Sequence, residues 1–203
     1  MKCKNITVLA LSTMLAFSML AGCAAKSGAP AQVVSAAATD SQSQSAAASS
    51  SLGNLKKFKA ETLAGDSFTQ ENFAEKDVTV INFWSLECGP CVDELPSIAK
   101  FAKTLPDNVQ LITVNLDGEE ESTKNAVKEE LKEAGFDGTT LVGSDGDLKT
   151  LVSKIQYTPT TILVDKNGNT LGDGIVGSPH DLTKAYTDAV NSALKAVGKA
   201  ELK

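Results

Sequence analysis

Trp84-Ser85-Leu86-Glu87-Cys88-Gly89-Pro90-Cys91 joins a strand signal to a helix signal. Before it, Val78 to Trp84 (VTVINFW) is a β-rich run. After it, Ile98, Phe101, Ala102 and Leu105 recur at helical spacing, which predicts a helix over 88–105. A cysteine at a helix N-terminus faces unpaired N–H groups and the positive end of the dipole. Both favour the thiolate, which is the nucleophilic form. Cys88, the outer of the two, is expected to attack disulfides, and Cys91, one turn further in, to resolve the mixed disulfide. Pro90 is tolerated just inside the helix because its missing N–H would have had no partner there.

Outward from this stretch the chain alternates. Val109 to Leu116 (VQLITVNL) reads as a second strand, and Glu119 to Ala134 as a charged amphipathic helix stopped by Gly135. Thr140 to Val142 is a short strand candidate, and Leu148, Leu151, Val152 and Ile155 form another helical stripe. Thr160 to Asp165 (TTILVD) is a strand, Lys166-Asn167-Gly168-Asn169 a hairpin turn, and residues 170–176 the returning strand. Leu182, Tyr186, Ala189, Val190, Ala193 and Leu194 mark a last amphipathic helix. Strand–helix alternation that closes with a hairpin predicts a mixed α/β sheet covered by helices. No internal repeat is present.

The 203 residues carry a formal charge of −6 and no arginine. Phosphate and nucleic-acid recognition leans on bidentate Arg and a basic face, so nucleic-acid binding is a poor reading. The length suits one ordinary domain with extensions. The first residues read as an address. Lys2 and Lys4 precede Ile6 to Leu20, an uncharged, mostly apolar run that suits a secretory leader and is short for a membrane span of about 20 residues. Leu20-Ala21-Gly22-Cys23 follows, and it resembles the bacterial lipoprotein box, in which the Cys is lipidated and the chain is cut before it. The expected divisions are a leader over 1–22, a lipidated Cys23 with a tether over 23–53, and one domain over 54–203. Residues 24–51 include 10 Ala and 8 Ser and no aromatic, so they cannot bury a core. Attachment to a lipid bilayer would come from the lipid on Cys23 rather than from charge.

Of the four cysteines, Cys3 leaves with the leader and Cys23 is assigned to lipid, which leaves Cys88 and Cys91. A bridge closing so short a loop is a weak staple and a good reversible disulfide. A zinc site needs more ligands, and the one histidine, His180, is about ninety residues away. His180 reads as a surface residue, and Glu119-Glu120-Glu121 as a solvated helix start. Pro96 is expected to kink the helix after Cys91.

CGPC after a strand ending in Phe-Trp resembles the thioredoxin superfamily. Residues 82–96, NFWSLECGPCVDELP, resemble the membrane-attached TlpA/ResA-type thiol-disulfide oxidoreductases, and residues 157–169, YTPTTILVDKNGN, resemble their cis-proline segment and hairpin. The resemblance spans roughly residues 55–197. It implies a thioredoxin-like mixed β-sheet flanked by helices, with Leu55 to Phe73 as an N-terminal β-hairpin and the charged helix at 119–134 as a helical insertion. It also implies an extracytoplasmic, lipid-anchored enzyme that needs no cofactor or metal. Its electrons would come from a CcdA/DsbD-type membrane protein, and its clients would be apocytochromes c or other oxidised exported proteins.

Three positions carry over from the family. Glu94 matches its acid three residues after the second Cys; 91 and 94 share a helix face, where a carboxyl could exchange protons with Cys91. Pro159 matches the cis-proline, and Thr158 before it would hold an extended client by its backbone. Trp84 matches the aromatic near the redox pair, with core packing as the alternative account. Two positions depart. Glu87 stands where thioredoxins usually carry Trp, and its charge would oppose a thiolate on Cys88 unless it points into water. Asn82 stands where cytoplasmic thioredoxin has a buried Asp, which moves proton handling towards Glu94.

Gly-Pro between the cysteines leans to the reducing end, towards thioredoxin's potential of about −270 mV. The rival readings are a disulfide-forming oxidase, a copper-binding thioredoxin-like chaperone, and an inert lipoprotein with a structural bridge. The copper chaperones carry C-x-x-x-C and a placed His, where this chain has C-x-x-C. A peroxiredoxin is disfavoured because no P-x-x-x-T-x-x-C string is present.

Overall fold

The computed structural model describes residues 52–203. The leader, Cys23 and the Ala/Ser-rich tether lie outside the described residues. Strands β1 (Phe58–Glu61) and β2 (Ser67–Thr69) pair antiparallel, and a 3-10 turn over Gln70–Glu75 follows. Thr69 starts that turn with a reciprocal cap: its hydroxyl accepts from Glu71 N, and Asn72 Oδ1 accepts from Thr69 N at 2.8 Å. Next come β3 (Val78–Trp84), α1 (Gly89–Ala102), β4 (Val109–Asn115), α2 (Glu121–Ala134), β5 (Thr140–Leu141) and α3 (Gly146–Val152). The chain closes with β6 (Thr160–Asp165), β7 (Thr170–Val176) and α4 (Leu182–Ala196).

The main sheet has the order β5-β4-β3-β6-β7. β3, β4 and β5 run parallel, while β6 and β7 are antiparallel additions. This is the mixed, helix-covered sheet that the alternation predicts. β3 is central and buried along its whole length. Because strand side chains alternate, Val78, Val80 and Trp84 face one core with Leu95 and Ile98 of α1, Val127 and Leu131 of α2, and Tyr186 and Val190 of α4. Ile81 and Phe83 face a second core with Phe58, Phe68 and Phe73 of the N-terminal hairpin and Leu148 and Leu151 of α3. An apolar run without polar alternation is what a strand covered on both faces requires. The polar exceptions are Thr79 and Asn82, and the even number of Asn82 puts it on the α1/α4 side.

Helix ends differ from expectation by a few residues. α1 stops at Ala102 rather than 105, because Leu105 precedes Pro106 and cannot hold helical geometry comfortably. Thr104 N and Oγ1 both bond to the Phe101 carbonyl and tighten the exit. α2 begins at Glu121 and ends at Gly135, which takes the left-handed conformation (φ 71°) expected of a helix-stopping glycine. Pro96 does lie inside α1, on an exposed position.

Candidate active site

The loop from β3 into α1 is held from the next strand over. Asp117 Oδ2 accepts from Leu86 N at 2.7 Å and from Asn115 Nδ2 at 2.8 Å. That fixes the chain as it leaves Trp84, and Cys88 then becomes the N-cap of α1 with extended backbone. Its Sγ accepts from Cys91 N at 3.3 Å, and its carbonyl takes Cys91 N and Val92 N. The sulfur therefore meets one N–H of the first turn, that of Cys91, which it shares with the Cys88 carbonyl. Cys88 and Cys91 form a disulfide with Cα atoms 5.2 Å apart. Cys88 is half-buried and Cys91 fully buried, so only the first sulfur offers itself to a partner. Glu87 is exposed, so its side chain lies at the solvent face rather than in the interior.

Glu94 lies one turn beyond Cys91 and is 5% exposed. Burial pushes its carboxyl above the ordinary range, against the opposing pull of hydrogen-bonding groups on Ser178 and Asn82. Asn82 Nδ2 lies within hydrogen-bond distance of Glu94 Oε1 (3.1 Å), Thr161 Oγ1 (3.1 Å) and Tyr186 OH (3.2 Å). Thr161 and Tyr186 are bonded to each other at 2.7 Å. The register explains the meeting: Asn82 and Thr161 are direct cross-strand partners, and Tyr186 comes down from α4. Burial, then the Glu94 charge, drives the Tyr186 phenol well above its ordinary range, so it stays neutral. Glu94 Oε2, Asn82 Oδ1 and Trp84 Nε1 are buried without a protein partner.

The Thr158–Pro159 peptide bond is cis. Thr160 lies opposite Phe83 in the β3–β6 register, so Pro159 falls at the same sheet end as Trp84 and the cysteines. Thr158 is half-buried, and Tyr157 just before it is 68% exposed. Trp84 has no exposed surface and packs in the same core as Cys91 and Leu95. A side chain so placed backs the redox pair from inside and meets no client directly, which favours the core-packing account.

Cys88 and Cys91, singled out by residue type and spacing, and Glu94 and Pro159, singled out by the family resemblance, lie at one end of the sheet. Residue-type reasoning read Tyr186 only as a core position and missed Thr161, Asp117 and Ser178. The available signal was Asn82, the single polar non-β-former in VTVINFW. Among the described residues, no group of three or more His, Cys, Asp or Glu is placed to hold a metal, and no helix is long and apolar enough to cross a membrane.

A mixed five-stranded sheet, a C-x-x-C at the start of the helix after its central strand, and a cis-proline at the same end define a thioredoxin-like protein with a redox cysteine pair. The sequence profile of the AhpC/TSA family matches residues 53–171, and the chain belongs to that family. It is 30% identical over 112 residues to the sporulation thiol-disulfide oxidoreductase A of Bacillus subtilis, covering 55% of this chain and 66% of that protein. The chain thus spans just under two thirds of that relative. A solved structure of MTB DsbF, in mixed oxidised and reduced forms, superposes with a TM-score of 0.56 at 26% identity, covering 68% of this chain and 96% of the other. StoA from Bacillus subtilis shares the fold, with a TM-score of 0.51 at 23% identity over 65% of this chain and 96% of that one.

Proposed function

We propose that the protein is an extracytoplasmic thiol-disulfide oxidoreductase that reduces disulfides in exported clients by dithiol exchange. The observation that carries this reading is the cysteine pair itself: one sulfur accessible at a helix N-cap, the other buried, and a buried carboxyl one turn on. In the reducing direction the Cys88 thiolate attacks a client disulfide, whose leaving sulfur departs as a thiol or thiolate. Cys91, deprotonated with the help of Glu94, then attacks Cys88. This closes the Cys88–Cys91 disulfide and releases the reduced client. Thr158 and Pro159 present backbone to the client as an added strand. Two electrons leave the dithiol and enter the client.

The leader and Leu20-Ala21-Gly22-Cys23 support a lipid anchor on the outer face of the cytoplasmic membrane. Residues 24–51 support a spacer that keeps the domain near membrane partners. A CcdA/DsbD-type electron donor and apocytochrome c clients follow from the TlpA/ResA resemblance. The test is the equilibrium reduction potential of the Cys88–Cys91 pair. A value below about −220 mV supports a reductant; one near −120 mV means that the protein installs disulfides.

A further inference from the structure

Glu94 does not only face the disulfide. It is also part of the wall of a cleft of about 490 Å³ between the first turns of α1 and the loop entering α4. Pro90, Asp93 and Ser97 line one side, and Ser178, His180 and Asp181 the other. Glu94 is 95% buried by exposure, yet its Oε2 has no protein partner. A buried carboxyl oxygen seldom goes unmatched. The residue lines a polar cleft roomy enough for water, although Oε2 itself lies just beneath the cleft surface, without solvent contact.

We propose that Glu94 exchanges its proton with solvent through this cleft, with the Ser178 hydroxyl beside the carboxyl and His180 as proton donor and acceptor at the mouth. The inference rests on Cys88–Cys91 being an exchanging pair. When an external dithiol reduces it, one reductant thiolate attacks Cys88 Sγ and the S–S bond breaks. The electron pair goes to Cys91 Sγ, which takes the proton from Glu94. The second reductant sulfur then displaces Cys88 and closes the reductant's own disulfide. Glu94 must recover a proton before the next cycle.

The groups around Glu94 leave few routes. On β3 it meets the neutral Asn82, whose amide also reaches Thr161 of β6, and on α4 the neutral, deeply buried Tyr186. Asp181 Oδ1 is taken by Lys184 N at 2.9 Å, where it caps α4. Asp93 is exposed on the adjoining helix position. His180 is exposed, lines the cleft and is the chain's one histidine, with two ring nitrogens that can donate and accept hydrogen bonds.

The test is reduction of the full chain by dithiothreitol, followed by stopped-flow fluorescence of its single tryptophan across pH in dilute buffer. This reads the disulfide directly and needs no client. His180→Ala should slow the proton-limited phase several-fold, and added imidazole should restore it. Ser178→Ala should slow it likewise, with Ser178→Thr restoring the rate. Glu94→Gln should slow it at least as much and resist imidazole, and Glu94→Gln with His180→Ala should be no slower than Glu94→Gln alone. Wild-type rates in both His180→Ala and Ser178→Ala, with Glu94→Gln slow, would overturn the port. A Glu94→Gln variant with the wild-type pH profile would overturn it too. Failure of the wild-type chain to turn over protein disulfides would count against the proposed function, while this readout would still decide the port.

Discussion

Burial pushes the Glu94 carboxyl above its ordinary value of 4.5, and that shift has a stability consequence with a definite sign. The folded chain holds this proton more tightly than the unfolded chain does. Below the ordinary value both states are protonated, and Glu94 contributes nothing to the pH dependence. As pH rises through that value towards the raised folded one, the unfolded chain releases its proton first, so stability falls. Glu94→Gln should flatten the thermal stability profile over that window. Equal slopes for wild type and variant, measured by calorimetry at several pH values, would show that Glu94 titrates normally. Asn82 belongs to the same argument. Asn82→Ala removes a buried donor that Glu94, Thr161 and Tyr186 share, and is expected to cost about 2–3 kcal/mol in urea unfolding. Cys88→Ser should abolish exchange with a disulfide client while leaving unfolding by urea close to that of the reduced wild type. Retained turnover would sink the mechanism.

The β6–β7 hairpin does more than end the sheet. Asp165 carboxylate oxygens accept from Asn167 N at 2.8 Å, Asn169 N at 2.9 Å and Asn169 Nδ2 at 2.8 Å. Burial raises the Asp165 carboxyl, but these bonds outweigh it and hold the group below its ordinary value. Gly168, in the left-handed region at φ 72°, brings its carbonyl within 2.8 Å of Leu55 N. Thr170 N donates to Asn54 Oδ1 at 3.0 Å, and Thr170 Oγ1 to the Gly53 carbonyl at 2.6 Å. The start of the domain is therefore stitched onto this turn. A methyl group at Gly168 would collide with the Leu55 carbonyl and sit in a conformation costing about 1–2 kcal/mol. Gly168→Ala should lose at least that much stability and raise amide exchange at Leu55 and Thr170 together. Loss of stability with Leu55 still protected would mean that the two segments hold independently.

Across the whole molecule, the two cores on opposite faces of one sheet leave the redox pair at the sheet's end rather than in a deep pocket. If Cys23 carries lipid, membrane fractionation of the expressed full chain should place it with the membrane, and Cys23→Ser should move it to the soluble fraction. Mass spectrometry of an unmodified Cys23 would remove the anchor.

Much of the architecture is local in origin. VTVINFW, VQLITVNL and TTILVD became strands, and the charged stripe ending at Gly135 became a helix, because periodicity and turn chemistry act over a few residues. The cysteine pair at a strand–helix junction is local as well, since the orphan N–H groups of a first turn belong to any helix start. What composition and spacing left undecided was the company each polar group keeps. Asn82, Thr161, Tyr186 and Glu94 are separated by 12 to 104 positions, and they meet only because β6 pairs with β3 and α4 covers that face. Asp117 clamps Leu86, and the α1 cleft brings His180 near Glu94, for the same reason. Residue type and order determined that this chain has a C-x-x-C pair at a strand–helix junction and a mixed α/β sheet to carry it. Only tertiary packing decided which sulfur is shielded, how strongly Glu94 holds its proton and where that proton can leave, because burial and long-range pairing are properties of the folded chain.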